Sequence, residues 1–163
     1  MTLTIQRVLI ALAALTAIPI LALAILSATS RRPSNLGPVK GKLCVCPESP
    51  NCVCSGDDSQ SRGIAPIAWK GDPLVGLERL ERIIANIPRT KSEMMPDQLY
   101  LHAEVTSAWF RFVDDVEFLV DPAAEVIHIR SASRAGRSDF GVNRQRVEAI
   151  RRSFESSQPF SSR

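Results

Sequence analysis

The sequence predicts an α+β fold, a two-layer sandwich in which two helices cover one face of an antiparallel sheet of about three to four strands. Two observations carry this prediction. Stretches with an apolar residue at every second position indicate strands, and two stretches with apolar residues at every third or fourth position indicate helices. The order along the chain is strand, helix, three strands and helix, which favours helices packed on one side of an antiparallel sheet. A further helix precedes this domain.

The amino-terminal segment, residues 1–30, contains a long uncharged run. Val8 to Leu26 are nineteen residues without a charged side chain. At a rise of about 1.5 Å per residue, such a helix spans a hydrocarbon core of roughly 30 Å. The run is longer than the apolar core of a usual signal peptide, about 7–15 residues, so we predict an uncleaved transmembrane anchor. Cleavage near the small residues Ala28 to Ser30 stays open as the alternative.

Residues 31–42 are predicted to be a linker, because serine, proline, glycine and cations dominate and no apolar period runs through them. More cations follow the anchor than precede it, which by the positive-inside rule alone would keep the domain in the cytoplasm. The cysteines favour an oxidising compartment instead. We predict a single-pass protein of the inner (cytoplasmic) membrane with a periplasmic or otherwise extracytoplasmic domain.

Four cysteines, at positions 44, 46, 52 and 54, open the domain. Two disulfides would suit an oxidising compartment. A zinc site would suit the cytosol, but structural zinc ligands usually stand two to four residues apart, and four free thiols are the third possibility. Pro47, Pro50 and Asn51 favour a turn that brings Cys46 and Cys52 together, so we predict a disulfide between these two.

The first strand of the domain, residues 43–156, is predicted to be an edge strand at Ile64 to Ile67. Asp72 and Pro73 are an N-cap and first-turn pair that open a helix, and Pro88 ends it. The apolar stripe of this helix is Leu74, Leu77, Leu80, Ile83, Ile84 and Ile87.

Three strands and a helix complete the domain. The strands are predicted at 98–112, 116–120 and 125–131, the last two as a hairpin about a turn at 121–124. In the first of them, Leu101 and its alternate neighbours define a buried face, and His102 lies on the polar face. The helix is predicted from about Phe140 to Phe154, with Asp139 as its cap. The polar tail, residues 157–163, is predicted to be disordered.

Charge is unevenly distributed along the domain. Residues 57–125 carry thirteen acidic and seven basic side chains, whereas residues 126–163 carry three acidic and eight basic ones. The two regions can neutralise each other within one fold. There is no long basic run interleaved with aromatic residues, so nucleic acid is not an expected partner. The sequence indicates no cofactor and no metal.

The stretch from Arg130 to Arg146 is the one place where charged, polar and flexible residues are concentrated. With the start of the next helix, it could bind a small anion through backbone N–H groups, hydroxyls and guanidinium groups. Alternatively, Asp114 and Asp115 pair with Arg134 or Arg144 and lock the sheet to the helix. The candidate binding residues are Arg130, Ser131, Ser133, Arg134, Gly136, Asp139, Asn143, Arg144, Asp114 and Asp115.

An enzyme is the second hypothesis. Asp114, Asp115 and Asp139 could supply acid–base chemistry in a hydrolase, with Arg134 and Asn143 orienting the substrate. No nucleophile motif or nucleotide-binding motif accompanies them. A membrane-anchored binding or structural module is therefore favoured over an enzyme.

Several blocks of the sequence carry a family resemblance. They are Cys46-Pro47, 51–53, 112–118, 130–134, Gly136 and 139–144. Over about Leu43 to Phe154, the chain resembles the bacterial and plastid proteins grouped as domain of unknown function 1499. The resemblance implies a domain without an assigned reaction, often behind a membrane segment or signal in bacterial envelopes. It also implies that Cys46 and Cys52 belong to the family pattern, whereas Cys44 is additional and Cys54 stands where the pattern usually has serine.

Overall fold

A computed structural model describes residues 2–157, which form one long amino-terminal helix and an α+β domain. The elements are α1 (Thr2–Ala28), β1 (Cys52–Cys54), β2 (Ile67–Ala68), α2 (Pro73–Ala85), β3 (Thr90–Met95), a 3-10 turn (Pro96–Gln98), β4 (Tyr100–Thr106), β5 (Val113–Asp121), β6 (Val126–Ser133) and α3 (Val142–Ser156). Of the tail predicted to be disordered, only Ser157 lies within the described residues.

Helix α1 is the one helix of the described chain that is long and apolar enough to cross a membrane. Its span Leu3–Ala28 has a mean hydropathy of 2.8, and its most apolar window is not buried against the rest of the described chain. Length and composition of this kind are shared by single-pass anchors and by signal sequences. Pro19 lies inside the helix without ending it.

The sheet is antiparallel and has six strands rather than the three to four predicted. The order is β1-β6-β5-β4-β3, and β2 pairs with the other end of β6. The sequence prediction missed β1 and β3. Strand β3, Thr90–Met95, is an edge strand whose residues are all exposed or half-buried, so it lacks the apolar alternation that marks a strand. Strand β1 is three residues long and lies within the cysteine segment.

Several elements begin or end at residues other than those predicted. The long strand predicted at 98–112 ends at Thr106, because residues 107–112 form a closed loop between β4 and β5. The edge strand predicted at 64–67 is reduced to Ile67–Ala68. Helix α3 begins at Val142 rather than Phe140, since Phe140 and Gly141 both have the left-handed backbone conformation.

Helix α2 follows from its local signals. Asp72 is its N-cap, and its carboxylate accepts the Leu74 N–H at 2.8 Å. Pro73 occupies the first turn, where a missing N–H costs nothing. Of the predicted stripe, Leu77, Leu80 and Ile84 are buried, whereas Leu74 is 44 % exposed.

The two faces of the sheet differ in chemistry. One face is apolar and packs against α2 and α3, burying residues such as Leu101, Phe118 and Ile129. The opposite face, called here the charged face, is also buried but carries ionisable side chains. Its members are Tyr100, His102, Glu104, Asp115, Glu117, Arg130 and Arg134. A half-polar strand normally turns its polar side to water, so this second buried layer is the main departure from the predicted sandwich.

The segment predicted to be a linker covers the charged face. Gly37 N donates to a Glu117 carboxylate oxygen at 2.8 Å, and Arg32 Nη2 lies 3.3 Å from His102 Nδ1. Arg32 also lies near Glu93 of β3. Residues 31–42 therefore connect α1 to the domain and pack against it, rather than forming only a free tether.

Candidate functional site

Arg134 is the centre of the first cluster on the charged face. Its Nε donates to Asp115 Oδ2 at 2.8 Å and its Nη2 donates to Asp115 Oδ1 at 2.7 Å. The same Nη2 also contacts the Glu104 carboxylate. The Arg134 side chain is 8 % exposed and that of Asp115 is 2 % exposed. A bidentate guanidinium–carboxylate pair of this kind fixes geometry as well as charge.

His102 adds a second partner to Asp115. His102 Nε2 lies 2.8 Å from Asp115 Oδ1, and the ring is almost fully buried. Burial alone would raise the pKa of Asp115, but the hydrogen bonds from Arg134 and His102 outweigh it and hold that pKa below its ordinary value. The hydrogen bond to Asp115 likewise raises the pKa of Arg134, against the opposing effect of burial.

This depressed pKa predicts acid sensitivity. Asp115 contributes stability that is fully present above the ordinary aspartate pKa of about 3.9 and is lost as the pH falls through its lower folded value. The free energy of unfolding should therefore fall more steeply below about pH 4 in the wild type than in Asp115→Asn. Urea melts across this range measure it, with the exposed Asp97→Asn as the control. Parallel acid limbs for wild type and Asp115→Asn would contradict the assignment.

Glu117 is the centre of the second cluster. It is completely buried and accepts three hydrogen bonds. Oε1 accepts from the Tyr100 hydroxyl and from Gly37 N, both at 2.8 Å, and Oε2 accepts from Arg130 Nη1 at 2.7 Å. Burial, followed by the charge of Glu117, raises the pKa of Tyr100, which remains a neutral donor. The charged face is therefore an internally compensated network.

The other predicted site residues lie on the helix side of the sheet. Asp114 and Asp115 are neighbours in β5 and so point to opposite faces. Asp114 accepts from Arg146 Nη2 at 2.5 Å, and Arg146 also donates to Asn143. The Ser131 hydroxyl donates to the side-chain oxygen of Asn143, Oδ1, at 2.6 Å. Asn143 Nδ2 donates to the Ser133 hydroxyl at 3.0 Å.

Backbone N–H groups at the start of α3 bind a side chain of the same segment. The Asp139 carboxylate accepts the N–H groups of Gly141 and Asn143 at 3.0 and 2.7 Å. Asp139 therefore uses two of the N–H groups that could otherwise bind an anion at this helix start. Arg144 donates to the carbonyl oxygens of Ser61 and Gly63, and the Gly136 carbonyl accepts from Asn51. Arg144 is therefore not on the charged face, and its predicted pairing with Asp114 or Asp115 does not occur.

A cavity of about 510 Å³ lies between the charged face, residues 33–35 and the cysteine segment. It brings together four of the predicted binding residues, Asp115, Arg130, Ser133 and Arg134, with residues that the predicted binding site did not include. Those are Pro33, Asn35, Cys44, Val45, Cys46, Pro47, Ser49, Asn51 and Ala132. The prediction missed this wall because no periodic pattern marks the segment that forms it.

The cavity has donor groups that the protein does not use. Within residues 2–157, Arg130 Nη2 and Arg134 Nη1 form no hydrogen bond, although the other ends of both guanidinium groups bind carboxylates. Among the described residues, only Arg130 Nε is both enclosed and without a partner. The two Nη atoms reach solvent, so an acceptor that enters the cavity is able to bind them.

His102, Glu104 and Asp115 each place a ligand atom within 4.8 Å of the others, a spacing that could hold a metal ion. However, Arg134 already donates to both carboxylates of this group. The guanidinium group supplies the positive charge that a metal would supply, and a cation added beside it would be repelled. We therefore assign this triad to the ion-pair network.

Cys46 and Cys52 are bonded to each other, and Cys44 and Cys54 are free. The bridge closes a loop of sequence separation 6 that forms one wall of the cavity. It ties the cavity wall to β1, which pairs with β6 at the position of Ala132. The bridge therefore fixes the covering segment to the sheet.

Removing this bridge should cost stability. Closing so short a loop stabilises by about 2 kcal/mol in the chain-entropy account, so Cys46→Ala/Cys52→Ala should lower the free energy of unfolding by about that amount. Urea unfolding measures the change, with Cys44→Ala as the matched control for a thiol outside the bridge. Mass spectrometry without reductant that found four free thiols in the purified chain would contradict the assignment.

The comparisons with known proteins point to a family. The family model described as "Protein of unknown function (DUF1499)" matches residues 42–154. The chain belongs to this family. The match covers β1 to nearly the end of α3, so the DUF1499 domain includes the whole sheet, both covering helices and the disulfide. Neither the curated proteins nor the solved structures contain a match.

Proposed function

We propose that this protein is a membrane-anchored extracytoplasmic binding module, and that its DUF1499 domain binds a small organic anion in the cavity above the charged face. The observation that carries the proposal is that Arg130 and Arg134 both line one cavity, and that each keeps one guanidinium nitrogen, Nη2 and Nη1 respectively, without a hydrogen bond among the described residues. Guanidinium groups are suited to carboxylate and phosphate oxygens.

The composition of the cavity favours an organic anion over a bare ion. A volume of about 510 Å³ is typical of a small-molecule site, for which pockets of roughly 300–1,000 Å³ are usual. Pro33, Val45 and Pro47 supply apolar wall on the side of the covering segment. The carboxylates of Glu117 and Asp115 already balance the two arginines. Affinity would therefore come from directed N–H groups and apolar contact, and not from net positive charge.

The hydrolase hypothesis has less support. It needs Asp114, Asp115 and Asp139 to act on one substrate. Asp114 binds Arg146 on the helix side, Asp115 binds Arg134 on the charged face, and Asp139 binds the start of α3. Three carboxylates with three separate partners do not form an acid–base pair, so binding is favoured over catalysis.

Thermal melts of the full chain in mild detergent test the cavity. Phosphate, sulfate and phenylphosphate are the probes, and we expect phenylphosphate to raise the melting temperature most. The stabilisation follows RT ln(1 + [L]/Kd), about 2.7 kcal/mol when the ligand is at a hundred times Kd. Ala132→Phe should abolish the shift because the added ring fills the cavity floor, whereas Ala124→Phe in the exposed β5–β6 turn should keep it. Equal ligand-induced shifts of the melting temperature in both variants, or no shift in wild type, would refute binding in the cavity.

The location of the domain has its own test. Alkaline phosphatase fused after Arg163 should be active, and a green fluorescent protein fusion at the same place should be dark. The full-length chain should remain in the membrane fraction after a carbonate wash. A soluble product beginning near Arg31 would show that α1 is a cleaved signal, and an inactive phosphatase fusion would place the domain in the cytoplasm.

A further inference from the structure

The loop between β4 and β5, residues 107–112, exposes a large aromatic side chain. Trp109 is 90 % exposed. The loop is nevertheless held closed, because Ser107 N donates to the Phe112 carbonyl at 2.8 Å and Phe112 N donates to the Ser107 hydroxyl at 2.9 Å. The Phe110 and Phe112 rings also contact each other at 6.1 Å between centroids. Trp109 is therefore displayed by an ordered loop.

A second exposed aromatic residue lies at the same end of the sheet. Phe140, in the loop between β6 and α3, is 92 % exposed. The two loops are adjacent because Arg134 N donates to the Val113 carbonyl at 3.0 Å, at the start of β5 and the end of β6. Arg111 and Arg137 are exposed in the same loops. We call the four residues Trp109, Arg111, Arg137 and Phe140 the aromatic tip.

We propose that the aromatic tip inserts into the headgroup region of an anionic lipid bilayer, the membrane that α1 occupies. Tryptophan is enriched where protein meets the membrane–water interface, and exposed arginines are attracted to anionic headgroups. A second protein is a poorer fit. Two aromatic side chains bury about 150–250 Å² each, whereas a stable protein interface needs roughly 800 Å² per partner.

The connection between α1 and the domain keeps the tip within reach of that bilayer. Arg32 is held beside His102 and Glu93, and α1 ends at Ala28. Four residues span at most about 14 Å, so the domain stays close to the end of the helix. Along β4, His102 is four residues from Thr106, roughly 13 Å. The loop that carries Trp109 begins after Thr106 and is therefore connected to the end of α1 through these two short spans and the Arg32–His102 contact.

The test uses the full chain in vesicles of phosphatidylcholine and phosphatidylglycerol that contain lipids with a fluorescence-quenching doxyl group. The chain has two tryptophans, and Trp69 is packed at 5.4 Å against Phe154. Trp69→Phe therefore isolates Trp109, and Trp109→Phe isolates Trp69. We expect shallow doxyl groups to quench the Trp69→Phe variant severalfold more than the Trp109→Phe variant. Adding Phe140→Ser, or replacing phosphatidylglycerol by phosphatidylcholine, should reduce the quenching of Trp109.

The outcomes distinguish this proposal from the anchoring proposed above, on which it rests. The chain could float with the vesicles while Trp109 is quenched by aqueous iodide and not by doxyl lipid. That result would overturn the insertion of the aromatic tip alone. A Trp109 signal that depends on the ratio of protein to lipid, without doxyl quenching, would indicate a second copy and would also overturn it. A chain that does not float with the vesicles would overturn the anchoring and the tip together.

Discussion

Replacing Arg134 by alanine is expected to lower the free energy of unfolding by about 3–5 kcal/mol, the cost of breaking a buried ion pair from one side. The variant leaves Asp115, whose side chain is 2 % exposed, without its bidentate partner. Glu104 loses the same guanidinium group. Urea unfolding followed by Trp69 fluorescence measures the change.

The control for this variant is Arg137→Ala, because Arg137 is exposed and lies in the same part of the chain. Its effect should stay within about 0.5 kcal/mol. An Arg134→Ala variant as stable as wild type would show that Asp115 does not depend on this partner. Loss of the phenylphosphate shift in the same variant would then make Arg134 a ligand-binding group only.

Replacing Glu117 by alanine should have a similarly large effect, again about 3–5 kcal/mol, because it leaves the buried Arg130 guanidinium without a counter-charge. It also removes the acceptor of Tyr100 and of Gly37 N. Since Gly37 belongs to the covering segment, this segment should become more sensitive to trypsin at Lys40 and Lys42.

The matched control is Glu125→Ala. Glu125 pairs with Lys70, but both side chains are largely exposed. Exposed pairs contribute roughly 0–1 kcal/mol, so this variant should unfold close to wild type and keep the trypsin pattern. If the two glutamate variants lost equal stability, the charged face would not be a buried network.

Local signals predicted the elements that local interactions form. Asp72 and Pro73 specify the start of α2, and a helical stripe specifies its buried face. The turn after Asp121 specifies the β5–β6 hairpin, where the Asp121 carboxylate accepts the N–H groups of Ala123 and Ala124. Each of these interactions joins residues close in sequence, which is why the pattern was sufficient.

The charged face could not be predicted in this way. Alternation marks Tyr100, His102 and Glu104 as one side of a strand, but the same pattern describes a solvated face. The segment that buries them has no periodicity, and Arg32 is 70 residues from His102 in sequence. The prediction that Asp115 and Arg134 could pair used the presence of both charges in one domain. It could not show that Arg146, and not Arg144, binds Asp114.

The two arginines of the charged face are proposed to hold a small anion beneath the disulfide loop. The most direct measurement is a crystal structure of the full chain soaked with phenylphosphate. We expect phosphate oxygens at about 2.7–3.2 Å from Arg130 Nη2 and Arg134 Nη1, with the ring against Val45 and Pro47. Phenylphosphate bound elsewhere, or a cavity that holds only water at saturating ligand, would contradict it.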